Sequence, residues 1–463
     1  MAAGKPDIWF LVVVQSADWA LDMTQNMARG FEAAGYSVLL LLFDGRPERL
    51  QEIGNEISQK VNSGEPFIIV DLNMVLNFEG FPANLIPWRY TWVGDNPIHH
   101  FRRLPNVQTN TLIGVPDRRY FEVYHALGLQ ENLLFMPHAG PDPIDAPLPM
   151  AERDIDFMFA GNFKLLPGSD EWKARTESLD PLVVAAIDET VGEILDKDAG
   201  SFQALTAALA QRGINWREMG APAVWEAHRV AESYAEGLRR WDVLRRFGNL
   251  SLHIVGEVSD DVARSMPNVT FQKFPGFPKM LEMIERTKML INVTPKLADG
   301  SHDRICNGIA RGSVMATTYS RYIAEQFDVT SDLIFFPRDM DGFERELADL
   351  IADNSRLDRM ARPLNRAQRG RQRFASCRSD HRLDEVDSGD RFSDRMFHLE
   401  TGVHLQHEVL TSEIVDDELD RSRRVVTNRC AESQRCLMQT LTRCIGKVGR
   451  WRLFQQLLVA TLH

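Results

Sequence analysis

Long apolar runs and cysteine are both scarce in this chain of 463 residues. The apolar stretches Ile8–Val14 and Ser37–Phe43 fall far short of the ~20 residues a membrane helix needs. No Ala-x-Ala pattern follows the first, so neither a membrane span nor a secretory leader is expected. The five cysteines are Cys306, Cys377, Cys430, Cys436 and Cys444. Their odd number excludes a closed disulfide framework and points to a reduced, cytoplasmic setting. The last three lack the paired C-x-x-C spacing of a zinc site. Positive charge is in deficit, with 53 Lys+Arg against 65 Asp+Glu and a formal charge of -12. That balance argues against a nucleic-acid coat, which needs clustered cations on phosphates. Neither G-x-G-x-x-G nor the P-loop pattern follows any strand, and the G-x-S-x-G elbow is missing. These gaps exclude the paired-glycine dehydrogenase motif, the P-loop nucleotide site and the α/β-hydrolase nucleophile.

What is present is an α/β rhythm, repeated. Strands are expected at Ile8–Val14, Val38–Phe43, Phe67–Asp71, Tyr90–Val93, Thr111–Val115 and Leu133–Met136, with helices over Trp19–Ala34 and Arg46–Val61. Five prolines between Pro137 and Pro149 then forbid a helix or a central strand and mark a hinge. The rhythm resumes at Asp154–Gly161, with further strands at Leu250–Val255, Val269–Gln272, Met289–Val293, Val314–Thr318 and Leu333–Phe336. Helices are expected at Pro278–Arg286, Asp303–Arg311, Ile323–Phe327 and Gly342–Ala352. Residues from about 165 to 247 hold no good strand and read as a helical insertion, broken near Gly213 and Gly220–Pro222. The expected division is 1–137, a first Rossmann-like domain; 138–152, the hinge; 153–362, a second such domain with the insertion; and 363–463, a tail of unknown role. After Pro363 the tail has no proline and, with 17 Lys+Arg against 14 Asp+Glu, is slightly positive. It reads as helical or disordered, with helix candidates at Phe397–Val415 and Cys436–Leu462.

Three constellations could carry chemistry. In Asn292–Tyr319 a strand ends at Val293, a polar loop holds Gly300, and His302, Asp303 and Arg304 arrive as a helix begins. Ligands of open parallel sheets bind where strand C-termini meet helix N-termini, and free N–H groups there favour phosphate. Arg304 adds a fixed cationic fork suited to a diphosphate, and Asn307, one turn on, an amide for a hydroxyl. Alternatively Asp303 caps the helix and Arg304 pairs with a surface acid. The second constellation, Gly161-Asn162-Phe163-Lys164, follows the first strand of the second unit; its glycine permits close approach, and Lys164 could meet phosphate. The third, Asp95-Asn96-Pro97-Ile98-His99-His100, follows Tyr90–Val93 and offers a general base in Asp95 or a histidine. Adjacent histidines point apart, and no carboxylate or third histidine lies at ligand spacing, so no metal is expected there. His138 lies at the hinge and so near an interdomain cleft.

These residues resemble the CgeB/YkvP-like, spore-maturation-type group among the relatives of group 1 glycosyltransferases. The likeness rests on RDIDFMFAGNF (Arg153–Phe163), LHIVGE (Leu252–Glu257) with MLINVTP, and DGSHDRICNGIARGSVMATTYSRYI (Asp299–Ile323). TWVGDNP and LLFMPHAG add to it in the first unit. The resemblance implies a GT-B fold: two tandem Rossmann-like domains with a cleft between them. It implies transfer of a sugar, hexosyl or related, from a nucleotide-diphosphate donor to an acceptor hydroxyl, without an obligatory metal or other cofactor. The donor side would comprise Gly161, Asn162, Lys164, His302, Arg304, Asn307 and Gly312. Base candidates on the acceptor side are Asp95, His99 and His138, if the reaction inverts. Many group 1 enzymes carry two glutamates near this helix; here Asp299 and Asn307 stand in their places. The acceptor, whether glycan, lipid or protein, is open. A nucleotide-sugar epimerase of the same architecture and a non-catalytic GT-B-like scaffold are the alternatives.

Overall fold

The computed structural model describes residues 6–13, 18–33, 35–73, 88–100, 110–128, 133–138, 140–163, 170–327 and 333–362. The helices expected in the tail lie outside the described residues, as does Lys164. Among the described residues no helix is long and apolar enough to cross a membrane.

Two six-stranded sheets, parallel throughout, organise the chain. The first is built from β1 (Asp7–Val13), β2 (Val38–Phe43), β3 (Phe67–Leu72), β4 (Arg89–Trp92), β5 (Thr111–Val115) and β6 (Leu133–Phe135), in the order 2-1-3-4-5-6. The second is built from β7 (Ile155–Ala160), β8 (Leu252–Val255), β9 (Thr270–Gln272), β10 (Thr287–Asn292), β11 (Val314–Thr317) and β12 (Ile334–Phe335). Its order, 9-8-7-10-11-12, is the doubly wound Rossmann order counted from β7. The first sheet follows the flavodoxin-like variant of the same rule. The architecture is thus GT-B-like: two tandem Rossmann-like domains.

Side-chain alternation shows why each sheet needs helices on both faces. In β1, Ile8, Phe10 and Val12 pack with Phe31 of α1 (Asp18–Ala33), while Trp9 and Leu11 pack with Ile53 and Ile57 of α2 (Pro47–Ser63). Successive strand residues face opposite ways, so one apolar run feeds two cores. Proline at the start of α2 and Gly64 at φ 69 after it give that helix both of its boundaries. In the second sheet Phe157 and Phe159 face one core, Met158 and Ala160 the other.

Among the described residues the insertion forms four α-helices, where breaks near Gly213 and Gly220–Pro222 alone would leave three segments. They are α4 (Asp170–Thr176), α5 (Pro181–Lys197), α6 (Ser201–Gln211) and α7 (Ala221–Leu244). The start of α5 is marked by Asp180, whose carboxylate accepts from the Leu182 N–H at 2.7 Å ahead of a first-turn proline. Ile187, Leu205, Ala227 and Val230 give the insertion a core of its own. A further apolar cluster joins Phe202 and Val224 to Ile98 and to Val123 of α3 (Tyr120–Ala126), so the insertion also leans on the first domain. Also unforeseen in sequence is the short α8 (Asp260–Ser265), capped by Ser259.

The first domain meets α10 (Asp303–Ala310) and the loop before it through backbone. Asp117 and Gly300 form an antiparallel bridge, and the Asp299 N–H donates to the buried Asp117 carboxylate at 2.9 Å. Arg118 reaches Asp299 at 3.3 Å and Glu325 at 2.8 Å. The proline hinge lies along α10, where Ile144 N–H donates to Ala310 O at 3.1 Å. Arg153 fastens the hinge with bonds to the carbonyls of Leu148, Thr287 and Arg311. A Cβ on Gly300 would collide with the Pro116 carbonyl oxygen and come within 2.9 Å of Asp117 Cα. Gly300→Ala is therefore expected to cost the ~1–3 kcal/mol of an overpacked site, read as a lower thermal midpoint. An unchanged midpoint would mean that these backbones separate freely.

Candidate active site

The second sheet reverses its strand order between β7 and β10, which is where ligands of doubly wound sheets bind. Three groups converge there. Gly161 follows β7, Thr294 to Lys296 follow β10, and His302 to Arg304 open α10.

Arg304 is nearly buried, at 7% exposure, and is held on two sides. Its Nη1 donates to Asn292 Oδ1 at 2.8 Å, and its guanidinium lies 5.1 Å from the centre of the Phe159 ring. Asn292 is oriented in turn by Thr294 and Thr317. Gly161 makes room, since a Cβ there would come within 2.7 Å of Arg304 Nη2. A second guanidinium, that of Arg240 on α7, stands over the same Phe159 ring at 5.4 Å. It donates to Asn162 O at 2.7 Å and to Glu236 Oε1 at 2.5 Å. Burial brings Arg304 down to about 10, and the neighbouring Arg240 charge pushes the same way. Lys296 is raised, chiefly by the charge of Glu236. Three cations thus share one crevice, facing the carboxylates of Glu236 and Asp303.

Burial alone would raise Glu236, yet Arg240, Lys296 and Arg304 together hold it at about 2, below its ordinary 4.5. A depressed carboxylate stabilises the fold above its ordinary value and loses that contribution as pH falls toward 2. Glu236→Gln is therefore expected to be less stable than the parent at pH 6, with the gap closing between about pH 4.5 and 2. Urea titrations across that window measure it; a constant gap would sever Glu236 from these cations.

The backbone at the start of α10 differs from the sequence expectation. The Arg304 N–H is already taken by Asp303 Oδ1 at 2.9 Å, with His302 Nδ1 farther off at 3.3 Å. The Ile305 N–H is taken by the His302 carbonyl. Side-chain cations, more than free N–H groups, make this end attractive to an anion. Burial, aided by Arg304, lowers His302 to about 4, so its ring is neutral. Asn307 is buried one turn on, with Asp303 at 3.5 Å. Asn162 spends its side-chain oxygen on the Glu257 N–H at 3.0 Å, so it shapes the loop. Gly312 stands apart from the other donor-side candidates. It lies past the far end of α10 at φ 72, where a Cβ would meet Pro147 of the hinge at 2.6 Å. Asp299 faces the first domain through Arg118 and Asp117.

The three base candidates part company. His138 reaches the crevice from the hinge, stacked 5.6 Å from His302 and edge-on to Trp92 at 4.8 Å. Its Nδ1 lies 2.6 Å from the Ser301 carbonyl. A carbonyl can only accept, so Nδ1 carries the proton and Nε2 keeps its lone pair. Burial lowers this imidazole below its usual 6.5, favouring the neutral form. Asp95 is exposed and acts on Lys296 through charge. His99 turns toward the insertion, with Nε2 at 3.4 Å from Glu232 Oε2 and its ring edge-on to His228 at 5.6 Å.

Arg240, Glu236 and Lys296 were missed in sequence. The first two belong to a stripe on α7, His228, Glu232, Glu236 and Arg240, spaced four residues apart and so on adjacent turns of one helix face. That spacing is legible in the sequence as one face of a helix; its destination is not.

Residues 238–388 match a family described as "Glycosyl transferase-like". The match covers about a third of the chain and includes Arg240, Lys296 and Arg304. No curated protein matches. Among solved structures the chain is similar to sucrose-phosphate synthase from Thermosynechococcus elongatus, at 10% identity over 79% of this chain and 94% of that one, with a TM-score of 0.44. It is similar to Anabaena HepE in complex with UDP and glucose, at 10% identity, 81% and 100% coverage and a TM-score of 0.43. A glycosyltransferase from Rickettsia africae gives 7% identity, 78% and 93% coverage and 0.37. The fold rests on the two sheet orders rather than on these distant likenesses.

Proposed function

We propose that the chain is a glycosyltransferase that moves a hexosyl or related sugar from a nucleotide-diphosphate donor to an acceptor hydroxyl. Within that class it stands nearest the CgeB/YkvP-like group. One observation carries the reading: two guanidiniums and a lysine gathered at the strand-order switch of the second sheet, beside the start of α10. A diphosphate gains charge as the glycosidic bond breaks, and fixed cations aimed at that charge stabilise the transition state. Here the chain's own Arg240, Lys296 and Arg304 meet the leaving group, so the proposed transfer asks for no metal and no other cofactor. Arg304 is braced by Asn292 and Phe159. Gly161 lets a ligand approach the strand end, and Asn307 offers an amide to a ribose or sugar hydroxyl.

His138 is the proposed base for an inverting transfer. Its Nδ1–H is anchored on Ser301 O, leaving Nε2 to take the acceptor proton. The acceptor enters from the first-domain side. The surroundings name neither the acceptor nor the nucleotide.

Calorimetric titration with UDP-, GDP- and dTDP-sugars tests the reading. Binding of one of them, weakened by charge removal at Arg240 or Arg304, is the expected result. A well-folded protein that binds none of them would overturn it. Product analysis without acceptor then separates transferase from epimerase, since an epimerase turns the donor over alone.

A further inference from the structure

A second polar cluster lies one turn along α7 from Glu236, where the insertion meets the first domain. Asn96 and His99 come from the loop and 3-10 turn after β4, Ser201 from the start of α6, and His228 and Glu232 from consecutive turns of α7. The sequence offered His99 no carboxylate at ligand spacing. The fold supplies one from more than a hundred residues away, together with a second imidazole.

Ser201 Oγ donates to Glu232 Oε1 at 2.9 Å and lies 2.8 Å from His228 Nε2, which in its protonated tautomer donates to it. The Asn96 amide is shared among Ser201, His228 and Glu232 at 3.3, 3.4 and 3.3 Å, each long for a strong bond. Among the described residues, His99 Nε2 and His228 Nδ1 are buried without a hydrogen-bond partner. A cation between His99 Nε2 and Glu232 would satisfy the unpartnered His99 nitrogen.

We propose that His99, His228 and Glu232 bind one divalent transition-metal ion of the zinc type, which pins the insertion to the first domain. One ligand atom from each side chain lies within 4.8 Å of the others. Around tetrahedral zinc, bonds of about 2.0–2.1 Å place neighbouring ligand atoms roughly 3.3 Å apart. His99 Nε2 lies 3.4 Å from Glu232 Oε2, and His228 Nε2 lies 3.8 Å from Oε1 of the same carboxylate, close to that spacing. Two imidazoles and one carboxylate are a familiar zinc donor set, with Ser201 or a water able to fill a fourth place. The ion is structural and its ligands include none of Arg240, Lys296 and Arg304, so the proposal does not depend on the sugar-transfer reading.

The test uses the full chain, purified without metal-affinity resin. Elemental analysis after dialysis against zinc is expected to find about one zinc per chain, and adding zinc to chelator-treated protein should raise its thermal midpoint. His99→Ala removes a partly exposed ligand without opening the core, and Glu232→Gln keeps the shape. Both are expected to lose the zinc and the thermal response, while Arg304→Ala keeps them. Less than about a tenth of an equivalent on folded parent protein would overturn the proposal. So would zinc retained in both ligand variants, which would place the ion elsewhere, the tail cysteines included.

Discussion

Replacing His138 by alanine is expected to cut turnover by about 10²–10⁴-fold, the range for loss of a positioned general base. Nucleotide-sugar affinity should change little, because the side chain is anchored on Ser301 O and does not belong to the cation group. The separation of kcat from binding is therefore the diagnostic. The pH profile gives an independent reading. Burial lowers the His138 imidazole below its usual 6.5, so the base is competent at neutral pH. Activity should fall only as pH drops through that lowered value, and His138→Ala should lose this limb. A variant with parental turnover would remove the base from the hinge and favour a retaining transfer, which needs none. A low-pH limb that survives in His138→Ala would assign the limb to another group, Asp95 first, since it faces the same Lys296 charge.

Arg304→Ala is expected to weaken nucleotide-sugar binding by at least the ~1.5–3 kcal/mol of a charged hydrogen bond, or about 10- to 150-fold. The side chain is preorganised: Asn292 holds one end of the fork and Phe159 one face, so little freedom is lost when a diphosphate arrives. Arg304→Lys should recover only part of the loss, because an ammonium cannot keep the Asn292 bond and present a fork as well. Titration calorimetry with the preferred donor measures both. Affinity unchanged in Arg304→Ala would place the diphosphate elsewhere, with Arg240 the next residue to replace. Thermal melts of the same variants guard against a trivial cause, since Asn292 keeps Thr294 as a donor when the arginine is lost.

Much of the fold was legible because its signals are local. β-branched and aromatic runs such as Phe67–Leu72 and Thr111–Val115 are buried on both faces, as continuous apolar strands of a parallel sheet must be. Val38–Phe43 and Thr111–Val115 are observed with the bounds read from sequence. What escaped was less repetitive. The breaks around Asp180 and Gly200 depend on a cap and on packing inside the insertion, and α8 is too short to show a period.

The site divides the same way. His302, Arg304 and Asn307 follow one another in the chain, so their convergence on the start of α10 could be read from spacing. Arg240 could not be placed, because it arrives from a helix whose amphipathic pattern is the same whether its polar seam meets solvent or a neighbouring domain. The carboxylate beside His99 escaped for a related reason, as the partners lie in different elements. Asp299 stands where many group 1 enzymes carry a glutamate, and its contacts run to Arg118 and Asp117 of the first domain.

The insertion also bears on how the chain folds as it is made. β7 is among the most apolar segments, and its sheet partners β8 and β10 both follow the four insertion helices. During synthesis Ile155–Ala160 therefore emerges long before any strand that can pair with it, and late pairing of this kind is slow and prone to aggregation. The insertion has an apolar core independent of the sheet, so it can consolidate in the interval and shorten the effective loop between β7 and β8. Changes that weaken that core, at Leu205 or Ala227 for instance, should lower the yield of soluble protein more than they lower the melting point of what does fold.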